Sequence, residues 1–174
     1  WKQMEWIGWY FEYWCNRNLK GVMEMPCSKK YGNVSFDGNL KIPWDFKSHA
    51  IESGDKIIVN DLQAIKKAIN DFGCVGLIIA SGPVVKENES QEFKKWHEKM
   101  KDDERKGKKT DYVLKNIERG APSRRRKVSM KISKISFVKL DNDCLKKYGS
   151  IHNQGRNSDG KPREPKVLLD LTKI

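Results

Sequence analysis

No stretch of the sequence approaches the ~18 consecutive apolar residues that a membrane-crossing helix needs. The apolar start is broken by Lys2, Glu5, Glu12 and Arg17, which is the wrong pattern for a secretory signal, so a soluble protein is expected. Cysteine is sparse. Cys15, Cys27, Cys74 and Cys144 are too far apart for a Cys-x-x-Cys zinc site, and buried free thiols in a reducing compartment are the simplest reading. His49, His97 and His152 are equally scattered and leave no zinc signature. There is no Gly-rich phosphate loop, no Ser-centred elbow and no internal repeat. The chain opens at Trp1 rather than Met and reads as a piece of a longer one.

What is abundant is positive charge. The 174 residues carry 35 Lys+Arg against 23 Asp+Glu, a formal +12, beside 37% hydrophobic residues that suffice for a folded core. One domain is expected at this length. Residues 1–87 hold 11 Lys+Arg and 10 Asp+Glu, whereas residues 88–174 hold 24 and 13. A basic half suggests an anionic polymer, most often nucleic acid, because each phosphate neutralised releases a condensed counterion.

The apolar spacing predicts a helix over 3–15, with Ile7, Phe11 and Trp14 as its buried stripe. Trp6, Trp9, Trp14 and Trp96 read as core rather than as base-stacking platforms. A connector at 21–26 leads to a strand at 33–37 that ends in a Gly38-Asn39 turn. A second strand at 42–49 completes a hairpin. An apolar strand at 56–59 follows, then a helix capped by Asp61 that runs through Leu62, Ile65, Ala68, Ile69 and Phe72 and stops at Gly73. The continuous apolar run Cys74–Ala80 reads as a strand buried on both faces. The order helix, hairpin, strand, helix, strand is that of an α/β core. Further on, helices are expected over 90–101 and from Thr110 to Gly120. A basic loop, Ala121–Lys127, precedes a strand through Val128, Met130 and Ile132. A polar stretch at 153–166 then leads to a final strand, Val167–Leu171.

The sharpest constellation lies in the hairpin, with Asp37 on one arm and Asp45-Phe46-Lys47 on the other. Alternation along an extended chain puts Asp45, Lys47 and His49 on one face and Trp44, Phe46 and Ser48 on the other. Trp44 and Phe46 then anchor the strand while its polar face converges on Asp37. Two carboxylates held close together repel unless a cation lies between them, and hard oxygen ligands of this kind suit Mg²⁺. A lysine two residues on places an ammonium where it can orient water and offset charge developing at a scissile phosphate.

This arrangement resembles the catalytic centre of the PD-(D/E)xK nuclease superfamily, the restriction-endonuclease-like fold, in which an Asp begins a hairpin and acid-x-Lys follows on the next strand. The resemblance covers roughly residues 3–80. Phe36 stands where many members have Pro. It implies a central mixed β-sheet flanked by helices in αβββαβ order, with Asp37 and Asp45 holding Mg²⁺ and Lys47 acting on water. In junction-resolving members a Gly-x-x-x-Glu pattern on the first helix supports the metal, and Gly8-Trp9-Tyr10-Phe11-Glu12 is similar, which nominates Glu12, with Glu5 as its rival.

The Arg124-Arg125-Arg126-Lys127 cluster is a candidate for phosphate or major-groove contact, as are Arg156, Lys161 and Arg163 in the polar tail. His49 is a further candidate for a phosphate contact, with a half-exposed strand histidine as the ordinary alternative. The resulting expectation is a single nuclease domain over 1–174, with a catalytic core about 3–80 and a basic DNA-binding part about 88–174. It would be a Mg²⁺-dependent endodeoxyribonuclease of double-stranded DNA, most like a type II restriction enzyme. The resemblance further implies a homodimer in a prokaryotic or phage-encoded cytoplasmic setting. The alternatives are a structure-specific junction or repair nuclease of the same fold, and a non-catalytic DNA-binding module.

Overall fold

The structure, a computed structural model, describes residues 5–25, 36–109, 111–118, 120, 125–156 and 160–174. Residues 33–35 of the expected first strand, Cys27, Thr110, Arg124 and residues 157–159 of the polar tail lie outside them. Among the described residues no helix is long and apolar enough to cross a membrane. The chain divides into two compact units, Trp1–Ile7 with Val84–Lys131, and Gly8–Pro83 with Ile132–Ile174.

The second unit is a mixed α/β structure built on a four-stranded sheet. Its strands in chain order are β1 (Gly38–Leu40), β2 (Ile42–Ala50), β4 (Val75–Gly82) and β7 (Lys134–Leu140), and they lie in that order across the sheet. β1 and β2 form an antiparallel hairpin, β2 and β4 run parallel, and β4 and β7 are antiparallel. A parallel pair needs a crossover, and helix α2 (Leu62–Phe72) supplies it. The helix stops where Gly73 takes φ +80°, the left-handed conformation that a side chain disfavours. Its buried stripe, Leu62, Ile65, Ala68 and Ile69, matches the sequence pattern, whereas Phe72 is exposed. Asp61 sits at the N-cap without a side-chain cap bond, pairing with Lys166 at 3.2 Å, while the Leu62 N–H donates to the Pro165 carbonyl.

The strand expected at 56–59 forms as β3 (Lys56–Asp61), but it does not join the central sheet. It pairs with β9 (Lys166–Asp170), which also pairs with β8 (Gly149–His152), giving a second, three-stranded sheet. The main core lies between these layers, with Ile65, Val75, Leu77, Ile79, Leu140 and Leu169 all but inaccessible. Helix α5 (Asn142–Tyr148) packs against β7, β8 and β9, and its N-cap Asp141 accepts a bond from the Cys144 N–H. Neither α5 nor β7 was expected. β7 lies at the edge of the central sheet, with Lys134, Ile135, Phe137 and Lys139 exposed.

Helix α1 (Trp6–Asn18) runs three residues beyond its expected end. Its buried stripe is Ile7, Phe11 and Cys15, and Trp14 is exposed. The hairpin turn also differs from expectation. Gly38 and Asn39 are paired strand residues, and the reversal falls at Lys41, which takes φ +63° between Leu40 and Ile42.

The first unit is smaller. β5 (Val84–Lys86) pairs with β6 (Lys127–Met130), and Glu87 binds Arg126 through both backbone and side chain. Helix α3 (Gln91–Lys99) is capped by the Ser90 hydroxyl and places Phe93 and Trp96 edge-on to Trp6. Helix α4 (Asp111–Glu118) ends before Gly120, which takes φ +64°.

Candidate active site

The site is built on β2. β2 is an interior strand, paired along one edge with β1 and along the other with β4, and it buries Asp45 and His49 on one face and Phe46 and Ala50 on the other. Side chains of directly paired residues share a face, so the pairs Trp44–Gly76, Phe46–Ile78 and Ser48–Ala80 define one face and Asp45–Leu77 and Lys47–Ile79 the other. Trp44 lies flat across Gly76, where a β-carbon would meet its ring at 2.3 Å. The expected division into an anchoring face and an open polar face is therefore corrected. Asp45 and Lys47 share their face with Leu77 and Ile79 of the main core, and Asp45 is only 3% exposed. His49, expected to be half-exposed, is also buried.

Asp37 is brought to Asp45 by the backbone. Its N–H donates to the Trp44 carbonyl at 2.9 Å, and its Oδ2 accepts the Phe46 N–H at 2.6 Å. The middle residue of the Asp45-Phe46-Lys47 triplet thus positions the first aspartate through its main chain, a role that side-chain identity cannot reveal. Lys47 Nζ lies 2.7 Å from Asp45 Oδ2, and the lysine side chain keeps about a quarter of its exposure. The ammonium is thus the partner that the buried Asp45 carboxylate faces.

The electrostatics follow from this packing. Burial, the charge of Asp45 and a carboxyl–carboxyl hydrogen bond push the Asp37 carboxyl up to about 7, against the Phe46 N–H and the Lys47 charge. Burial alone would lower the Lys47 ammonium, but the charge of Asp45, the hydrogen bond to its carboxylate and the charges of Asp37 and Glu12 outweigh it and hold the lysine above its ordinary value. Lys47 is consequently a charged donor at neutral pH. Cys15, one helical turn beyond Glu12, has its thiol pushed up to about 12 by burial and then by the charges of Asp37 and Glu12. It is an inert structural thiol, and its i, i+3 spacing from Glu12 was the signal that could have placed it here.

Comparison with known proteins finds no matching family model, curated protein or solved structure.

Among the described residues no group of three or more His, Cys, Asp and Glu side chains is gathered to hold a metal ion, so Glu12 does not complete a three-ligand set. The Asp37–Asp45 pair nevertheless fits a divalent cation of the Mg²⁺ kind, which takes one or two carboxylates and fills its other positions with water and phosphate oxygens. Two carboxyl groups brought together, one of them raised by burial and then by the charge of the other, are the observation that fits it. Glu5 is exposed ahead of α1.

The basic candidates divide between the units. In the first, Arg125 is exposed, but Arg126 is 14% exposed and tied to Glu87 at 2.9 Å, and Lys127 is a strand residue facing Lys86. Arg126 is thus held in an ion pair with Glu87, whereas Arg125 is open to solvent. In the second, Arg156, Lys161 and Arg163 are exposed on a loop closed by an Arg156–Pro162 bridge, and Arg156 Nη1 donates to the Gly160 carbonyl at 2.7 Å.

Proposed function

We propose that the protein is a Mg²⁺-dependent nuclease that hydrolyses phosphodiester bonds of DNA, with Asp37, Asp45 and Lys47 at its catalytic centre. The observation that carries this reading is the convergence of two carboxyl groups, Asp37 and Asp45, beside the Lys47 ammonium. The restriction-endonuclease-like fold belongs to the same proposal. It is supported by the chain order of α1, the β1–β2 hairpin, α2 and β4, with the acidic residues on the hairpin.

Asp37 and Asp45 would hold the cation, which when bound supplies positive charge to the scissile phosphate. Lys47, kept as an ammonium by its acidic neighbours, donates to the attacking water or to a phosphate oxygen and offsets negative charge as it builds up. The sheet fixes these groups through backbone bonds, so little reorganisation accompanies the reaction. The surplus of 35 Lys+Arg over 23 Asp+Glu favours a polyanionic substrate.

The deciding experiment is incubation with unmethylated phage DNA and Mg²⁺ or Mn²⁺, with Asp45→Asn in parallel. Metal-dependent cleavage that falls at least ~100-fold in the variant, with DNA binding retained, is the expected result. Discrete fragments would indicate a sequence-specific enzyme. Cleavage confined to branched DNA would indicate a structure-specific one. Absence of any cutting under these conditions leaves a binding module as the reading.

A further inference from the structure

Strands β4 and β7 are antiparallel neighbours whose pairing runs to Ser81 and Lys134. The Ser133 N–H and hydroxyl both donate to the Ser81 carbonyl and close the ladder. A loop of about two to five residues suffices to join strands paired in this way. Here the stretch Val84–Lys131 stands in its place and folds, with Trp1–Ile7, as the first unit. The main core takes no residue from this insert, and among its described residues none is fully buried. It is held by the β5–β6 pair, the Glu87–Arg126 ion pair and the edge-on contacts of Trp6 with Phe93 and Trp96. A segment with so few buried apolar contacts opens readily by itself. What such an insert adds to the molecule is surface.

That surface is basic. Residues 84–131 hold 16 Lys+Arg against 9 Asp+Glu, more than half of the chain's positive surplus in little over a quarter of its length. Local ion pairs occupy Lys101, Arg105 and Lys106, which meet Glu98, Asp102 and Asp103. Lys94, Lys95 and Lys99 on α3, together with Lys108, Lys109 and Arg125, are exposed, and among the described residues none of them meets a carboxylate. Like charges left unpaired repel one another and work against the folded unit until an anion joins them. We infer that the insert is a polyanion-binding module, which grips the phosphate backbone of nucleic acid with these side chains and becomes more ordered as it does so. This deepens the nuclease reading and rests on it for the identity of the polyanion. Cleavage then belongs to one unit and affinity to the other. An anionic membrane carries similar charge, but a helix that lies in a membrane interface needs a free apolar face. The large rings of α3 are instead engaged by Trp6.

The test compares two full-length variants that lose the same number of charges. In one, Lys94, Lys95, Lys99, Lys108 and Lys109 become Gln; in the other, Lys41, Lys56, Lys66, Lys146 and Lys147 of the second unit do. Binding of a fluorescein-labelled DNA duplex is followed by anisotropy in EDTA over a range of salt. The first variant should bind at least about tenfold more weakly and lower the slope of affinity against salt by about two or more. The second should stay within about threefold of the wild type. Hydrogen exchange on the wild type reads the ordering without any substitution. The duplex should slow amide exchange within 84–131, and phosphatidylserine vesicles should not. Equal losses in the two variants, a greater loss in the second, unchanged exchange within 84–131, or protection by the vesicles and not by the duplex would each overturn the proposal. Because no metal is present, binding is measured apart from cleavage. Insert-dependent binding without cutting in Mg²⁺ would retain the module and remove the nuclease reading. Cutting with equal losses in both variants would do the reverse.

Discussion

Asp37 owes its chemistry to its neighbours more than any other residue in the site. On folding it becomes partly buried beside Asp45, and its carboxyl rises from 3.8 to about 7. A carboxyl whose pKa rises on folding binds its proton more tightly in the folded state. The folded state therefore has this advantage in full below about pH 4 and loses it as the pH climbs through about 7. The metal-free protein should accordingly melt at a lower temperature at pH 8 than at pH 5. Asp37→Asn and Asp45→Asn should each flatten that difference, the first by removing the group and the second by removing the charge that repels it. Thermal melts in EDTA read this directly, and Mg²⁺ should restore stability at pH 8 in the wild type alone. The residues of this site were legible because alternation along a strand fixes which side chains share a face. Their burial was not, because it depends on β4, which lies some thirty positions further along and pairs beside them with the core residues Leu77 and Ile79 on the same face.

At the scale of elements, the Trp44–Gly76 contact ties two strands together next to Asp45. A β-carbon at position 76 would stand 2.3 Å from the Trp44 ring, so Gly76→Ala must shift either the ring or the strand. A loss of about 1–3 kcal/mol in denaturant unfolding is expected, the ordinary cost of overpacking, together with reduced cleavage because Asp45 follows Trp44 on the same strand. Helix α2 and strand β4 were readable in the sequence, the first from its 3.6-residue period and Gly73 stop, the second from its unbroken apolar run. β3 was readable as a strand but not as a member of the second sheet, because its partner β9 lies more than a hundred residues away. β7 and α5 escaped notice because half of each is exposed and their apolar residues are thinned by lysines. The turn at Lys41 was hidden because a lysine in the left-handed region carries no turn signal, whereas Gly38-Asn39 carries a strong one that the strand overrides.

For the molecule as a whole, the charge could be counted but its use could not. Arg125 and Arg126 are adjacent in sequence, yet one is exposed and the other is bound to Glu87. Their substitutions should therefore separate. Arg125→Glu should weaken DNA binding and lower the slope of affinity against salt by about one or more, with no change in melting temperature. Arg126→Ala should cost ~1–3 kcal/mol of stability, as loss of a charged hydrogen bond does. Salt-dependent binding and thermal melts, run on both variants, check the pair. The compact units interleave along the chain because β7, after the first unit is complete, returns to pair with β4.

That return has a consequence for handling the protein. Among the described residues β7 is the last strand of its sheet, with Phe137 71% exposed and Ile135 also exposed, and an edge strand of this kind is a template on which another chain can pair. Lys134 and Lys139, placed on the same short strand, act as gatekeepers by charging the template. Replacing both with Thr, a residue that strands accept, should leave the fold intact and yield a protein that scatters light within hours at concentrations where the wild type stays clear. A basic side chain in this protein then has a second use unrelated to any partner, which is to keep neighbouring molecules apart.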